Sequence, residues 1–438
     1  MRISPSAIST RRCPISTQTV DADLTLGRKR LEDGDPAGAV PHFLQALGGD
    51  NPSLAKRWLA ISYALCGRAR DLAAVVAGYD PAPARRLLFV HSMLLELVDA
   101  KAWKPISTIA AACVADPYLH SIAAYYVGCG KLVAGDYDGA FACFQEFKSV
   151  VLSRHREFPI ATDEDFNLVV RQALLIEPPE YVRELMAAQA GASPTAPAVT
   201  AAGDWRDSAA EGPVFLCCCD SRYFRRFAPE LSRSLAAVRP DATLHFHLAG
   251  PQDADLALAR SLAAQHPTVT FNTTLEMTPL FTQPVYYTCN RFLVAPLLLQ
   301  RYRRPLLMLD ADSLLLDDLG AITEAARDFD FACFNSGRVE PASVFQAGVM
   351  YFAASPGALT LLEILGRLVL AKLALPPMLS WMLDQAALYS AIRYAEKYAP
   401  EIAIGDLAAA TGRKLTDFLG ALGTREEKLE LMHRAPGS

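Results

Sequence analysis

The sequence predicts a two-part chain: an all-α repeat domain, then an α/β domain built on a mostly parallel sheet. Three observations predict it. The first third repeats itself with a period of about 34 residues. A stretch rich in Ala, Pro, Thr and Gly, "AAQAGASPTAPAVTAAGD", interrupts all periodicity near the middle. Beyond it, short apolar runs of strand length alternate with helical stretches. These set the expected boundaries: a disordered tail over 1–20, a helical repeat domain over 21–187, a linker over 188–212 and the α/β domain over 213–438.

Bulk properties restrict the function classes. The chain has 438 residues, enough for two domains with cores of their own. Apolar residues make up 52% and charged residues 20%, a globular balance. The net charge of −5 gives no electrostatic reason to expect nucleic acid or an anionic membrane surface as partner. The N-terminal segment has arginines but no continuous apolar region of the secretory kind, and no apolar run reaches spanning length. The ten cysteines show no zinc-finger spacing. The triplet Cys217–Cys219 lies in an apolar run, where Cys packs as a small hydrophobe. A reduced, cytoplasmic protein is expected.

In the repeat region, "LGRKRLEDGDPAGAVPHFLQAL" carries Gly27, Gly34, Asp35, Ala39, Phe43 and Ala46. The later copy "VGCGKLVAGDYDGAFACFQEF" places Gly128, Gly135, Asp136, Ala140, Phe144 and Phe147 at the same offsets. Ala60, Tyr63 and Gly67 fill the slots of a copy between them. Small residues let two helices approach, an aromatic fills the gap, and Gly-Asp opens the turn. The pattern resembles tetratricopeptide repeats over about Asp21–Leu152, which implies a surface for peptides or partner proteins. Thr162–Met186 continues as helix, interrupted at Pro178–Pro179.

The α/β region follows in order. Val214–Cys219 is a strand with a helix after it, Thr243–Gly250 a second strand, and Thr268–Thr274 a third. A helix around Arg291–Arg301 leads into "LLMLDADSLLL", Leu306–Leu316, and Phe329–Asn335 and Ala347–Ala354 are further strands. Ligands of such sheets bind beyond the carboxyl ends of the strands. Leu306–Leu309 therefore reads as a buried strand and Asp310–Asp312 as its exit into the crevice. In an extended chain residues i and i+2 point the same way, so Asp310 and Asp312 would stand side by side. Two such carboxylates suit Mg²⁺ or Mn²⁺ bridging to substrate phosphates. Asp317 and Asp318 are placed to cap the following helix.

Several segments in order resemble a GT-A glycosyltransferase, and within that class glycosyltransferase family 8, over about Pro213–Tyr394. They are "CDSRYFRRFAPELSRSL" after the first strand, then "YYTCNRFLVAPLLLQRYRRPLLMLDADSLLLDDL", "FQAGVMYF" and "DQAALYSAI". Gln346 stands where the family usually has Asn, and Ala386 where it has a second acid. The resemblance implies a Rossmann-like GT-A domain with a mostly parallel mixed sheet and a nucleotide-sugar donor, UDP-linked by preference. It assigns Tyr223 to the base with Asp220 beside it, and Arg291, Asp310 and Gln346 to the donor. Asp310 and Asp312 fall to Mn²⁺ or Mg²⁺, and Asp384 and Gln385 to the transferred sugar, with retention of configuration. "MHRAPGS" retains His433 as a candidate third metal ligand. The acceptor would be a protein or glycan, recruited together with any protein partner through the repeats. The alternative is a repeat-domain scaffold carrying a degenerate, non-catalytic nucleotide-sugar-binding domain.

Overall fold

The computed structural model describes residues 22–80, 82–154, 164–189, 199–200, 205–206, 211–277, 284–317, 319–373, 382–424 and 427. The expected tail, most of the expected linker, Cys13, Asp318 and His433 lie outside these residues. The chain packs as two compact units, Met1–Leu174 and Leu175–Ser438.

The first unit is all helical. It runs as α1 (Ala22–Glu32) and α2 (Pro36–Ala46), α3 (Pro52–Leu65) and α4 (Ala69–Ala77), α5 (Pro83–Asp99) and α6 (Trp103–Ala112), then α7 (Pro117–Val133) and α8 (Tyr137–Arg154). The last helix, α9 (Glu164–Leu175), ends at the unit boundary. The repeated offsets have a structural cause. Gly34 and Gly135 turn the chain at φ of 80° and 79°, a region closed to most side chains. Asp35 and Asp136 then accept from the backbone N–H groups of Gly38 and Gly139, at 2.8 and 3.0 Å. Across each hairpin a Cβ on Gly27 would lie 2.5 Å from the Phe43 ring, and one on Gly128 would lie 2.7 Å from that of Phe144. Glycine and aromatic are thus two halves of one contact, sixteen positions apart in both copies.

The second unit opens with α10 (Pro179–Ala188), followed by β1 (Val199–Thr200), β2 (Val214–Asp220), α11 (Ser221–Val238), β3 (Thr243–Ala249), α12 (Asp253–Gln265), β4 (Thr270–Glu276) and α13 (Pro284–Tyr302). After these come β5 (Leu306–Leu309), β6 (Ser313–Leu315), α14 (Gly320–Ala326), β7 (Phe331–Asn335), α15 (Pro341–Val344), β8 (Phe345–Phe352), α16 (Pro356–Lys372), α17 (Leu383–Tyr398), β9 (Ile404–Asp406), α18 (Leu407–Thr411) and β10 (Leu419–Ala421). The main sheet has the order β1-β4-β3-β2-β5-β8-β7-β9. Its β4-β3-β2-β5 block is parallel, β8 runs antiparallel between β5 and β7, and β9 is parallel to β7. This is the mixed, mostly parallel arrangement expected from the sequence. The sheet reverses strand order between β2 and β5, the place where open α/β sheets bind ligands at the carboxyl ends of their strands.

One face of the sheet buries Phe215, Leu244, Phe246, Leu248 and Phe271 with Phe224, Leu231 and Leu235 of α11. The other face lies under α13, which packs on β2, β3 and β5 and on α16. α10 packs on α16 and α17, and the stretch before it is seated by a buried Lys372–Glu177 pair and by Glu177 N–H donating to Ser390 Oγ at 2.9 Å.

One local expectation is corrected. Residues 310–312 form a turn closed by Ser313 N–H on Asp310 O at 3.1 Å, so the extended-chain argument for parallel carboxylates does not apply. Leu319 holds the N-cap position of α14 with no side-chain hydrogen bond of its own, and Asp317 pairs with Arg413 at 2.8 Å.

The glycine–aromatic contact predicts a defined lesion. Gly128→Val drives a branched side chain into the Phe144 ring and the Ala140 carbonyl, an overpacking cost of about 1–3 kcal/mol. Thermal unfolding of the full chain should show a lowered transition, partly restored by Phe144→Leu. An unchanged transition in the single variant would contradict the contact.

Candidate functional site

The site is assembled at the carboxyl end of β2 and β5 and the amino end of β8. Asp220 ends β2 and caps α11. Its Oδ1 accepts from Tyr223 N–H at 2.8 Å, and its Oδ2 accepts from Arg222 Nε at 3.2 Å. Both carboxylate oxygens of this buried residue are therefore engaged by the first turn of α11. Tyr223 is half-buried on that turn. Burial first, then the carboxylates of Asp312, Asp220 and Asp310, push its hydroxyl above the ordinary phenol range. The charges of Asp220, Asp310 and Asp312 are thus all felt at one hydroxyl, although the turn has replaced the extended strand.

Arg291 is the centre of the second group. It sits on α13 at 4% exposure, with Nη1 on Asp310 Oδ1 and Nη2 on Asp384 Oδ2, each at 2.7 Å. Burial alone would lower its affinity for the proton, but Asp310 and Asp384 outweigh that and hold it above the usual arginine range. Asp384 opens α17. Burial pushes its carboxyl up, opposed by Arg291 and reinforced by Asp310. Its remaining oxygen, Oδ1, accepts from Gln385 N–H at 2.9 Å, and Gln385 is itself half-buried.

Asp310 is the exposed corner of this trio, its side chain 45% accessible. Its backbone N–H donates to Gly348 O at 3.3 Å. A Cβ on Gly348 would lie 3.4 Å from Asp310 Oδ2, so the glycine keeps that oxygen uncrowded. Gln346 lies two residues before Gly348 on β8 and pairs across with Phe334. Asp312 is fixed through its main chain, its carbonyl accepting from Leu422 N–H at 2.6 Å. That bond continues the β6–β10 pairing, so the chain after β10 anchors the aspartate turn.

The structure thus joins Asp310, Arg291 and Asp384 by direct contacts, and Asp220 and Tyr223 by another. It leaves Gln346 near Asp310 only through the β8 backbone. Sequence reasoning missed Arg222 and Tyr287. Arg222 follows Asp220 by two positions and pairs with it. Tyr287, one helical turn before Arg291, has its hydroxyl pushed up to about 12 by burial first and then by Asp220. The helical spacing of Tyr287 and Arg291 was the available signal. Leu415 was also missed; it comes within 3.6 Å of the Cβ position of Gly348.

As donors for a divalent cation, Asp310 and Asp312 offer hard oxygens. No group of three His, Cys, Asp or Glu side chains positioned for a metal occurs among the described residues. Two carboxylates completed by substrate oxygens is a usual mode for Mg²⁺, and the pair fits that mode. The nine described cysteines are free, and no described helix is long and apolar enough to cross a membrane.

No protein-family model and no curated protein sequence matches the chain. Among solved structures it is similar to WbbM, a bifunctional glycosyltransferase in its apo structure, at 16% identity and a TM-score of 0.31, over 44% of this chain and 39% of that one. It is also similar to apo mouse xyloside xylosyltransferase 1, at 13% identity and a TM-score of 0.31, over 45% of this chain and 85% of that one. The chain thus spans well under half of WbbM.

The trio predicts a stability signature. Arg291→Met leaves two carboxylates without their buried cation and costs about 3–5 kcal/mol. Asp384 already binds its proton more readily folded than unfolded, so this group favours the native state as pH falls through its folded range. Without Arg291 that gain grows. The melting-temperature deficit of the variant should therefore be smaller at pH 5 than at pH 8, and an equal deficit at both would refute the pairing.

Proposed function

We propose that the second unit is a metal-dependent glycosyltransferase that moves a sugar from a nucleotide-sugar donor, by preference a UDP-sugar, to a protein or glycan acceptor. The carrying observation is the Asp310–Arg291–Asp384 trio, with Asp310 sharing its field at Tyr223 with Asp220 and Asp312. An aromatic beside a buried carboxylate suits a nucleobase, and two partly exposed carboxylates at a strand exit suit a metal–diphosphate.

In this reading Tyr223 stacks on the base, with Asp220 holding the first turn of α11 in place. Mn²⁺ or Mg²⁺ would be held by Asp310 and Asp312, with His433 as third ligand, and would supply Lewis-acid neutralisation of the leaving diphosphate. Arg291 orients Asp310 through Oδ1 and leaves Oδ2 on the open side by Gly348. Gln346 contacts the donor from β8. Both oxygens of Asp384 are engaged, so it serves the transferred sugar by electrostatics, beside the half-buried amide of Gln385. Retention of configuration belongs to the same proposal. The helical unit, read as tetratricopeptide-like, recruits the acceptor or a protein partner, in a cytoplasmic setting.

Thermal shift with UDP- and GDP-sugars, each with and without Mn²⁺, tests the donor site. A bound donor should raise the transition by mass action, and Asp312→Ala should remove the metal-dependent part of the rise. If no such sugar shifts the transition in Mn²⁺, the repeat-domain scaffold with a degenerate second unit becomes the better account.

A further inference from the structure

The helix that carries Arg291 also carries a polar group with nothing to bind. Asn290 is fully buried, and neither its Nδ2 nor its Oδ1 has a hydrogen-bond partner among the described residues. Arg291 Nε, next to it in sequence, is buried there without a partner as well. Leaving a buried donor and acceptor unsatisfied forfeits their hydration with no return, and such groups in a folded chain call for a reason. Packing supplies none. Cys289, Phe292, Leu293 and Val294 around Asn290 are buried and apolar, and an apolar side chain would suit that setting better.

The run of α13 fixes where this amide stands. Near its start Tyr286 donates to Glu276, the last residue of β4, and at its end Tyr302 meets Asn272 and His245, nearer the beginnings of β4 and β3. The helix therefore runs against the parallel strands, with its amino end at their carboxyl ends. Arg291 meets Asp310, just beyond β5, so Asn290 is level with the strand ends too. At about 100° per residue it faces about 40° from Tyr286 and about 100° from Arg291. That turns it to β3 and β2, which lie between β4 and β5 and on which α13 packs. Helical side chains lean toward the amino end, which directs the amide to the strand ends and to Tyr287, one turn earlier. After burial, it is the charge of Asp220 that pushes the Tyr287 hydroxyl up. The same Asp220 holds the first turn of α11 through Tyr223 N–H. Asp384 lies elsewhere, at Arg291 Nη2. Asn290 thus belongs to the Asp220–Tyr223 side of the site.

We propose that Asn290 is a base-reading residue of the donor site, pairing through Nδ2 and Oδ1 with the imide edge of uracil. The inference rests on the donor-site reading above and deepens it. A side-chain amide offers a donor and an acceptor in one plane. The imide offers N3–H beside a carbonyl, in matching order, so two parallel hydrogen bonds form. Stacking on Tyr223 tolerates any base, so an edge contact is needed to hold uracil in one orientation. In the free chain the amide is closed off. Tyr287, half-buried one turn nearer the strand ends, turns aside to admit the base. Both open atoms of Asn290 then gain partners. A base without N3–H leaves the amide short of one, which is how a site of this kind rejects an analogue.

The test crosses two ligands with two side chains. UDP and N3-methyl-UDP, each with Mn²⁺, are titrated calorimetrically into the full-length wild type and into Asn290→Ala, whose smaller side chain leaves room for the methyl group. Asn290→Val takes its place should the alanine variant fail to fold. Methylation should weaken binding to the wild type about tenfold or more. The variant should bind UDP about tenfold more weakly than the wild type and lose nothing further on methylation. Wild-type binding that ignores methylation overturns the inference. So does a variant that keeps the wild-type affinity for UDP, in which case the amide holds buried water only. A variant as sensitive to methylation as the wild type overturns it too, since a structural role weakens both ligands alike. Failure of UDP to bind the wild type in Mn²⁺ overturns the donor-site reading and this inference together, whereas the other adverse outcomes leave that reading standing.

Discussion

The Asp310–Arg291–Asp384 bridge is the constraint on which the second unit's site depends. Each ion is costly to take out of water, and the cost is offset only when the partners are held in good geometry. Arg291 meets that demand by drawing its two carboxylates from elements 19 and 93 residues away. The end of β5, the middle of α13 and the start of α17 are therefore fixed against one another by a single guanidinium. The bridge also polarises the site. Asp384 is turned inward with both oxygens engaged, whereas Asp310 keeps an accessible side. One carboxylate is consumed in holding the cation so that the other can face a ligand in a set orientation.

What could be seen in the sequence follows from how local its causes were. The hairpin pattern of the first unit was legible because turn, cap and glycine–aromatic contact all fall within sixteen positions and recur. The strands of the second unit were legible because buried parallel strands read as apolar runs, and Leu306–Leu309 and the start of β2 fall where those runs do. Asp310 and Asp312 stood out as acids at a strand exit. Their geometry did not, since a turn closed by one backbone hydrogen bond rather than a continued strand decides where they point. Arg291 was recognised by likeness, but its two partners could not be read from spacing. The Asp317 pair with Arg413 is equally non-local, and no short-range rule names it.

The buried polar face of β3 and β4, where His245, His247, Asn272, Thr274 and Glu276 are linked by hydrogen bonds through Tyr302 and one another, shows the complementary failure. "HFH" in β3 and "NTT" in β4 were read as strand and nothing more, because alternation names the residues that share a face without naming what lies opposite. Register supplies the rest. His247 stands level with Thr274 on one side and with Cys218 on the other. A sheet with one apolar face and one polar face is usually half-solvated, but here α13 covers the polar face and forces every group on it to find a partner.

That requirement ties the two halves of the argument together. α13 touches both the buried polar face, through Tyr286 and Tyr302, and the ionic bridge, through Arg291. A helix seated on apolar contacts alone could slide by small increments at little cost. One seated by a directional chain at one point and by a buried ion pair at another cannot, because each small slide breaks a buried polar contact worth more than the packing it preserves. The position of Arg291, and with it the orientation of Asp310, is therefore set discretely.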